Sequence, residues 1–162
     1  MPVSRVIINS SPLITLFGSN QQEILPKLFD EIIVPEAVWQ EIVEGGHQDS
    51  ASVAVPKTHW LLRNSQEPIS PLVMSWDLGK GETAVIGYAT LYPGYHVILD
   101  DAAARRCAKA LGIKSLGTLG VVLLAKQRGI ISSVKPVLTA LQDAGLWLGQ
   151  DIISMVLQQA GE

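Results

Sequence analysis

The chain has 162 residues, the length of one ordinary domain, and its 15 acidic and 12 basic residues give a formal net charge of -3. Apolar residues make up 48% and charged residues only 17%, which excludes a disordered chain and a protein that coats nucleic acid through bulk positive charge. The single Cys107 excludes an intrachain disulfide. No uncharged run predicts a membrane span and no signal peptide is recognisable, so we expect a cytoplasmic protein.

Strands and helices are predicted to alternate along the chain. The apolar, β-branched runs predict strands over residues 5–8, 31–34, 95–99 and 113–116, with a weaker candidate at residues 60–62. Capping residues and helical spacing predict a helix opened by Ser11-Pro12, a second opened by Pro35, and further helices over residues 82–91, 102–111, 118–128, 134–144 and 150–159.

This alternation predicts an α/β fold. Each strand is nearly all apolar, as expected for a mostly parallel sheet whose two faces are both covered by helices. We therefore expect one α/β/α sandwich over residues 1–162, with about four to five strands and with residues 134–162 forming C-terminal helices.

Oxygen-bearing side chains stand where a parallel sheet places its ligands, outside the carboxyl ends of the strands. Asn9 ends the first predicted strand, and Asp100 and Asp101 follow the strand over residues 95–99. Glu41 and Glu82 lie on helices that the fold can bring to the same edge of the sheet, the rim formed by the carboxyl ends of its strands. Clustered carboxylates repel one another unless a cation neutralises them, and oxygen ligands without Cys or His favour Mg²⁺ or Mn²⁺.

Each of these residues also has a purely structural interpretation. Asp100 or Asp101 can cap the following helix, and Glu82 in a first helical turn is favoured by the helix dipole. Glu41 is typical of a solvated helix edge, and Asn9 before Ser-Ser-Pro is typical of a turn. The functional interpretation rests on their combination at one rim.

The combination resembles a PIN domain. The resemblance rests on Asn9-Ser10-Ser11-Pro12-Leu13-Ile14, on Val34-Pro35 with Glu41, and on three later segments, which are Leu78-Gly79-Lys80-Gly81-Glu82, Leu99-Asp100-Asp101-Ala102-Ala103-Ala104-Arg105-Arg106 and Gly117-Thr118-Leu119-Gly120. It covers nearly the whole chain and is strongest to the short proteins grouped with VapC-type toxins. It implies a Mg²⁺- or Mn²⁺-dependent ribonuclease that a small antitoxin protein holds inactive.

The resemblance also implies roles for individual residues. Glu41 and Glu82 match the second and third acids of the family, and Asp101 matches the late acid, with Asp100 beside it as a substitute. Asn9 stands where most PIN domains carry their first Asp, and its amide oxygen can still ligate a hard cation. Thr118 falls at a further polar position near the metal, while Ser11, Arg105 and Arg106 are candidates for substrate contact.

The resemblance implies metal-assisted hydrolysis of RNA phosphodiester bonds. An alternative is a PIN-fold module that binds RNA or protein without cutting, because Asn9 brings no charge to the metal. A receiver-like signalling domain is disfavoured, since it needs an acidic pair at the first strand. A homodimer is a further expectation, because the chain is apolar for its size and residues 146–157 supply either a subunit contact or core.

Overall fold

A five-stranded sheet forms the centre of the computed structural model, which describes residues 4–45, 49–65 and 70–162. Its strands are β1 (Arg5–Ile8), β2 (Glu31–Pro35), β3 (Leu61–Asn64), β4 (His96–Ile98) and β5 (Ser115–Leu116). They lie in the order β3-β2-β1-β4-β5, and every neighbouring pair is parallel. The predicted α/β class is confirmed.

Helices connect and cover the strands. Those in the described residues are α1 (Ser10–Gly18), α2 (Ile24–Leu28), α3 (Glu36–Val43), α4 (Ser50–Ala54), α5 (Pro71–Met74), α6 (Lys80–Leu91), α7 (Ala102–Ala110), α8 (Thr118–Gln127), α9 (Lys135–Asp143) and α10 (Gln150–Gln159). A short 3₁₀ helix (Val55–Lys57) follows α4. In the described ranges, no helix combines the length and apolar character that crossing a bilayer requires.

The central strand shows that both faces of the sheet are covered. Val6, Ile7 and Ile8 of β1 are all 0% exposed, although successive side chains of a strand point to opposite faces. Such a strand has no solvated side and must lie inside the sheet, where β2 and β4 flank it.

The order of the strands positions the site. The chain passes from β1 to β2 on one side of β1 and returns later to place β4 on its other side. The gap between β1 and β4 is therefore the topological switch point, at which open parallel sheets bind ligands beyond the strand ends. Asn9 follows β1 and Asp100 lies two residues beyond β4, so both stand at this point.

Several element boundaries differ from those that the sequence predicts. The strand predicted at residues 60–62 is β3, an edge strand over Leu61–Asn64, and the strand predicted over residues 113–116 shortens to β5. Three helices of four or five residues, α2, α4 and α5, are not predicted at all. Their length spans little more than one turn, which is too short for helical periodicity to be recognised.

Candidate functional site

Asn9 lies at the centre of the candidate site. It is 2% exposed and follows the last residue of β1, and its backbone N–H donates to the carbonyl oxygen of Ile98 at 3.1 Å. Its side-chain Nδ2 donates to Glu82 Oε1 at 3.2 Å, whereas its buried Oδ1 has no hydrogen-bond partner. A buried amide oxygen without a partner is costly, and a bound cation or a water molecule would satisfy it.

The turn before α6 brings Glu82 to Asn9. Gly79 is the N-cap of α6, and Glu82 lies in the first helical turn. A Cβ at Gly79 would lie 2.5 Å from Glu82 Oε2, so a larger residue here would displace the Glu82 carboxylate. The Leu-Gly-Lys-Gly-Glu segment thus has a physical reason for its first glycine.

Glu41 reaches the same place from α3. Its Oε2 accepts a hydrogen bond from Ser10 Oγ at 2.7 Å, and its Oε1 accepts one from the backbone N–H of Gly81 at 3.0 Å. A Cβ at Gly81 would lie 2.8 Å from Asn9 Oδ1 and 2.8 and 3.0 Å from the two Glu41 carboxylate oxygens. Gly81 therefore leaves open a small space that Asn9 and Glu41 face together.

Ser10 and Gly81 are the residues of this site that the sequence reasoning did not assign. The sequence suggested Ser11 as the orienting hydroxyl and helix cap, but Ser11 is exposed within α1 and the N-cap of that helix is Asn9. Ser10 lies one residue closer to the strand, which brings its hydroxyl to Glu41. The signal for Gly81 was its place between Lys80 and Glu82 at a helix start.

Asp100 and Thr118 form a second pair at the rim. The backbone N–H of Thr118 donates to Asp100 Oδ1 at 2.7 Å, and Thr118 Oγ1 donates to Asp100 Oδ2 at 2.6 Å. Thr118 is 1% exposed and is the first residue of α8, whose N-cap is Gly117 and not Thr118 as predicted. The Asp100 carboxylate thus accepts from the N-terminus of α8, where the helix dipole favours a negative charge.

Asp101 has a different environment. It is the N-cap of α7, and its Oδ2 accepts from the backbone N–H of Ala104 at 2.9 Å. The residue is exposed. The structural interpretation considered for this pair, helix capping, describes Asp101, while Asp100 is the member held at the N-terminus of α8.

The basic residues after this acidic pair lie on α7. Arg105 and Arg106 are exposed, and an Arg105 guanidinium nitrogen lies 3.2 Å from the position that a Cβ at Gly117 would occupy. Asp100 Oδ1 is 3.1 Å from the same position. Arg105 therefore lies close to Asp100 at the rim, and no ion pair joins it to Asp101 within the described residues.

The donors at the rim fit a hard divalent cation in kind. Glu41, Glu82 and Asn9 offer oxygen atoms, which Mg²⁺ and Mn²⁺ prefer. No group of three His, Cys, Asp or Glu side chains suited to a metal occurs among residues 4–45, 49–65 and 70–162. The buried Oδ1 of Asn9 is unpaired. The set therefore offers a cation two carboxylates and one neutral amide oxygen.

Cys107 does not belong to the chemistry of the rim. It is 0% exposed in the core, and burial raises the pKa of its thiol. A thiol in such surroundings stays protonated and is a poor nucleophile.

Comparison with known proteins identifies the family. A search of curated proteins gives no significant match. A family model described as a PIN domain matches residues 5–162, which is nearly the whole chain. PIN domains are nucleases that generally use divalent metal ions, and the resemblance first noted in the sequence extends over the sheet and the rim described above. The chain belongs to the PIN-domain family.

Proposed function

We propose that this PIN domain is an endoribonuclease that hydrolyses RNA phosphodiester bonds with the help of Mg²⁺ or Mn²⁺. The observation that carries the proposal is the buried, unpaired Oδ1 of Asn9, which faces the space beside Gly81 together with the Glu41 carboxylate. Hydrogen bonding leaves this oxygen unsatisfied, and a cation would satisfy it.

Asn9, Glu41 and Glu82 are the residues that would hold the cation. When bound, the cation lowers the pKa of a coordinated water and stabilises negative charge on the scissile phosphate. The neighbouring residues orient the side chains that would hold the cation. Ser10 Oγ and the Gly81 N–H donate to the two oxygens of Glu41 and fix its orientation, which is the role that outer partners have in metal sites.

The third acid of the proposed site is one of the pair Asp100 and Asp101. The family resemblance favours Asp101, with Asp100 as its substitute. The contacts favour Asp100, because both of its oxygens accept from Thr118 at the rim, whereas Asp101 caps α7. We propose Asp100 as the catalytic acid, Thr118 as the residue that positions it, and Arg105 and Arg106 as substrate contacts.

The partners of the protein form part of the proposal. We infer that it acts in the cytoplasm as the toxin of a toxin-antitoxin pair, with a small antitoxin protein as inhibitor. We further infer a homodimer, which exposed apolar side chains near and on α10 support. Trp147 is 85% exposed, Met155 47% and Ile152 39%, and grouped exposure of this kind is typical of a subunit contact.

The test compares cleavage of a fluorescently labelled single-stranded RNA by the wild-type protein and by three variants in Mn²⁺. Glu82→Gln and Asp100→Asn should each lose more than the ~10–100-fold that removal of an outer-shell partner typically costs. Asp101→Asn is the matched control, because Asn caps a helix as well as Asp does. Cleavage that survives Asp100→Asn but disappears in Asp101→Asn would reverse the assignment of the pair.

A second candidate function is RNA or protein binding without cleavage, and Asn9 is the observation that favours it. An amide brings no charge, so the proposed site holds its cation with two carboxylates, those of Glu41 and Glu82. If wild-type protein binds RNA but neither cleaves it nor binds Mn²⁺ saturably, the binding module is the correct description. Recovery of cleavage in Asn9→Asp would show that the scaffold is competent and that only the charge is missing.

A further inference from the structure

A groove lined by basic residues runs beside the rim, between α7 and the edge strand β5. It encloses about 730 Å³, and its lining includes Arg105, Arg106, Lys109, Lys114 and His96. No carboxylate lines it. The chain as a whole carries a net charge of -3, so the groove is a local concentration of positive charge on a protein that is acidic overall.

No cation of the groove forms an ion pair within the described residues, although Arg105 lies near Asp100. Within the described residues, the ion pairs are those of Arg63 with Glu36 and Lys126 with Glu162, and neither involves the groove. Like charges on one surface destabilise the fold by mutual repulsion. An anionic ligand would relieve that repulsion, which makes the arrangement more than a solvated helix face.

The positive charge of the groove at neutral pH comes from its arginines and lysines. His96 is half-buried, and burial together with the charge of Lys114 lowers its pKa. The ring is therefore neutral at pH 7, and four permanent cations remain, which are Arg105, Arg106, Lys109 and Lys114.

Three of these cations, Arg105, Arg106 and Lys109, lie on α7, and Lys114 lies beyond the end of that helix. Arg105 and Lys109 are one turn apart on the helix, about 6 Å along its axis, and Arg106 lies between them. Lys114 precedes β5, and its carbonyl oxygen accepts from the N–H of Val97, so it lies beside the start of β4 at the far end of the sheet. The groove thus runs from the rim at Arg105 to the opposite end of the strands.

The groove approaches the proposed active site at Arg105, which lines the groove and lies next to Gly117. The guanidinium of Arg105 and the carboxylate of Asp100 both lie next to this glycine, within 3.2 Å of the position of a Cβ there. An RNA strand held at Arg105 would therefore lie near Asp100.

We propose that this groove binds the sugar-phosphate backbone of single-stranded RNA and holds the nucleotides that flank the bond to be cut. The inference rests on the proposed ribonuclease function and adds the path of the substrate. The groove contacts phosphates, so it supplies affinity without reading sequence.

The test measures binding separately from cleavage. Fluorescence anisotropy of a 12-nucleotide single-stranded RNA is recorded in EDTA with the Glu82→Gln protein, between 50 and 300 mM salt. Four phosphate contacts predict a slope of log K against log salt of about -2.8, since each contact on a single strand contributes about -0.7. The double variant Lys109→Ala/Lys114→Ala should reduce the magnitude of the slope by about 1.4 and weaken binding more than 10-fold at low salt.

A matched control removes the same charge elsewhere. Lys57 and Lys135 are exposed, and neither side chain bonds a residue of the described chain, so Lys57→Ala/Lys135→Ala should leave the slope unchanged. Equal slopes for the groove variant, the control variant and the parent overturn the proposal. Binding of an acidic peptide with no binding of RNA also overturns it, and assigns the groove to a protein partner.

Cleavage kinetics distinguish a failure of the groove from a failure of the proposed function. In Mn²⁺, the groove variant should raise KM for the 12-nucleotide RNA and leave kcat and the cleavage of a 4-nucleotide RNA unchanged. RNA binding through the groove without cleavage by any version of the protein would refute the ribonuclease function and retain the groove. Cleavage with the same KM for the groove variant and the parent would refute the groove and retain the ribonuclease function.

Discussion

Replacement of Asn9 by Asp is the most informative single change, because it alters the charge of the rim and leaves its shape nearly intact. In the wild-type protein Asn9 Nδ2 donates to Glu82 Oε1 at 3.2 Å, in a place where Asn9 is 2% exposed. Asn9→Asp replaces that donor by an oxygen of a second carboxylate. A favourable contact becomes a repulsive one in the absence of metal.

The magnitude follows from the contact. A hydrogen bond to a charged group contributes about 1.5–3 kcal/mol, and two unit charges 4 Å apart at an effective dielectric constant of about 20 repel by about 4 kcal/mol. These two contributions do not add in full, because Glu82 is partly exposed and one of the two carboxyls can be protonated. We therefore expect the free energy of unfolding without metal to fall by about 3–5 kcal/mol. The loss should be smaller at pH 5 than at pH 8, because one shared proton removes the repulsion.

Mn²⁺ should reverse the effect. A divalent cation between the carboxylates converts their repulsion into attraction, so Asn9→Asp should bind Mn²⁺ at least tenfold more tightly than the wild type, a difference of about 1.4 kcal/mol. Urea unfolding in EDTA and in saturating Mn²⁺ measures both quantities, since a ligand of the folded state adds its binding free energy to stability.

The control for this prediction is Asn20→Asp, which makes the same chemical change at an exposed position and should alter neither stability nor metal response. The reasoning is refuted if Mn²⁺ stabilises Asn9→Asp and the wild type equally, or if Asn9→Asp costs no stability in EDTA.

Two further predictions concern space at the rim and the pH dependence of stability. Gly81→Ala should weaken Mn²⁺ binding more than tenfold, about 1.4 kcal/mol, because its Cβ would lie 2.8 Å from both Asn9 Oδ1 and Glu41 Oε1; isothermal calorimetry measures this. Glu162→Gln should lower the Tm at pH 7, because hydrogen bonds from Ser133 and the Val134 N–H, with Lys126, lower the pKa of Glu162 from 4.5 to about 2. A carboxylate with a lowered pKa stabilises the fold above pH 4.5 and loses this contribution as the pH falls towards 2, so thermal melts of the variant and the wild type should converge at acidic pH.

Each of these has a matched control. Gly120→Ala adds a methyl group to another helical glycine, where the nearest atom is Leu116 Cδ2 at 3.4 Å, and it should keep the metal affinity. Glu23→Gln removes a charge from an exposed glutamate and should shift the Tm little at any pH. Metal binding unaffected by Gly81→Ala, or a Tm difference for Glu162→Gln that does not change with pH, would contradict the two arguments.

The fold was largely predictable because its signals are local. The apolar runs that became β1, β2 and β4 are strands buried on both faces, and such strands consist of consecutive apolar residues. The final helix was predicted over residues 150–159 and is α10 (Gln150–Gln159). The edge strands were less clear, because β3 has exposed Leu62 and Arg63 on a partly solvated edge and β5 has two residues.

The candidate site was predictable as a set of residue types and not as a set of contacts. Asn9 was predicted at the rim because it ends a parallel strand, and Glu41 and Glu82 because their helices can reach the same place. The structure places Asn9 against Glu82, and Asn9 and Glu41 around Gly81. The sequence could not separate Asp100 from Asp101, since adjacent residues differ only in the direction of their side chains. The backbone after β4 decides that direction, by directing Asp100 to Thr118 and Asp101 to the N-terminus of α7.

The sequence alone determined the α/β class, the low net charge and the presence of oxygen-bearing side chains at strand ends, because each depends on residue identity and short-range spacing. Tertiary structure decided which hydroxyl orients Glu41, which aspartate meets Thr118, and that Lys109 and Lys114 join Arg105 in one groove. Those outcomes depend on contacts between segments that are distant in the chain, such as Ser10 with Glu41 and Asp100 with Thr118. The packing of helices on the sheet fixes such contacts, and no local pattern records them.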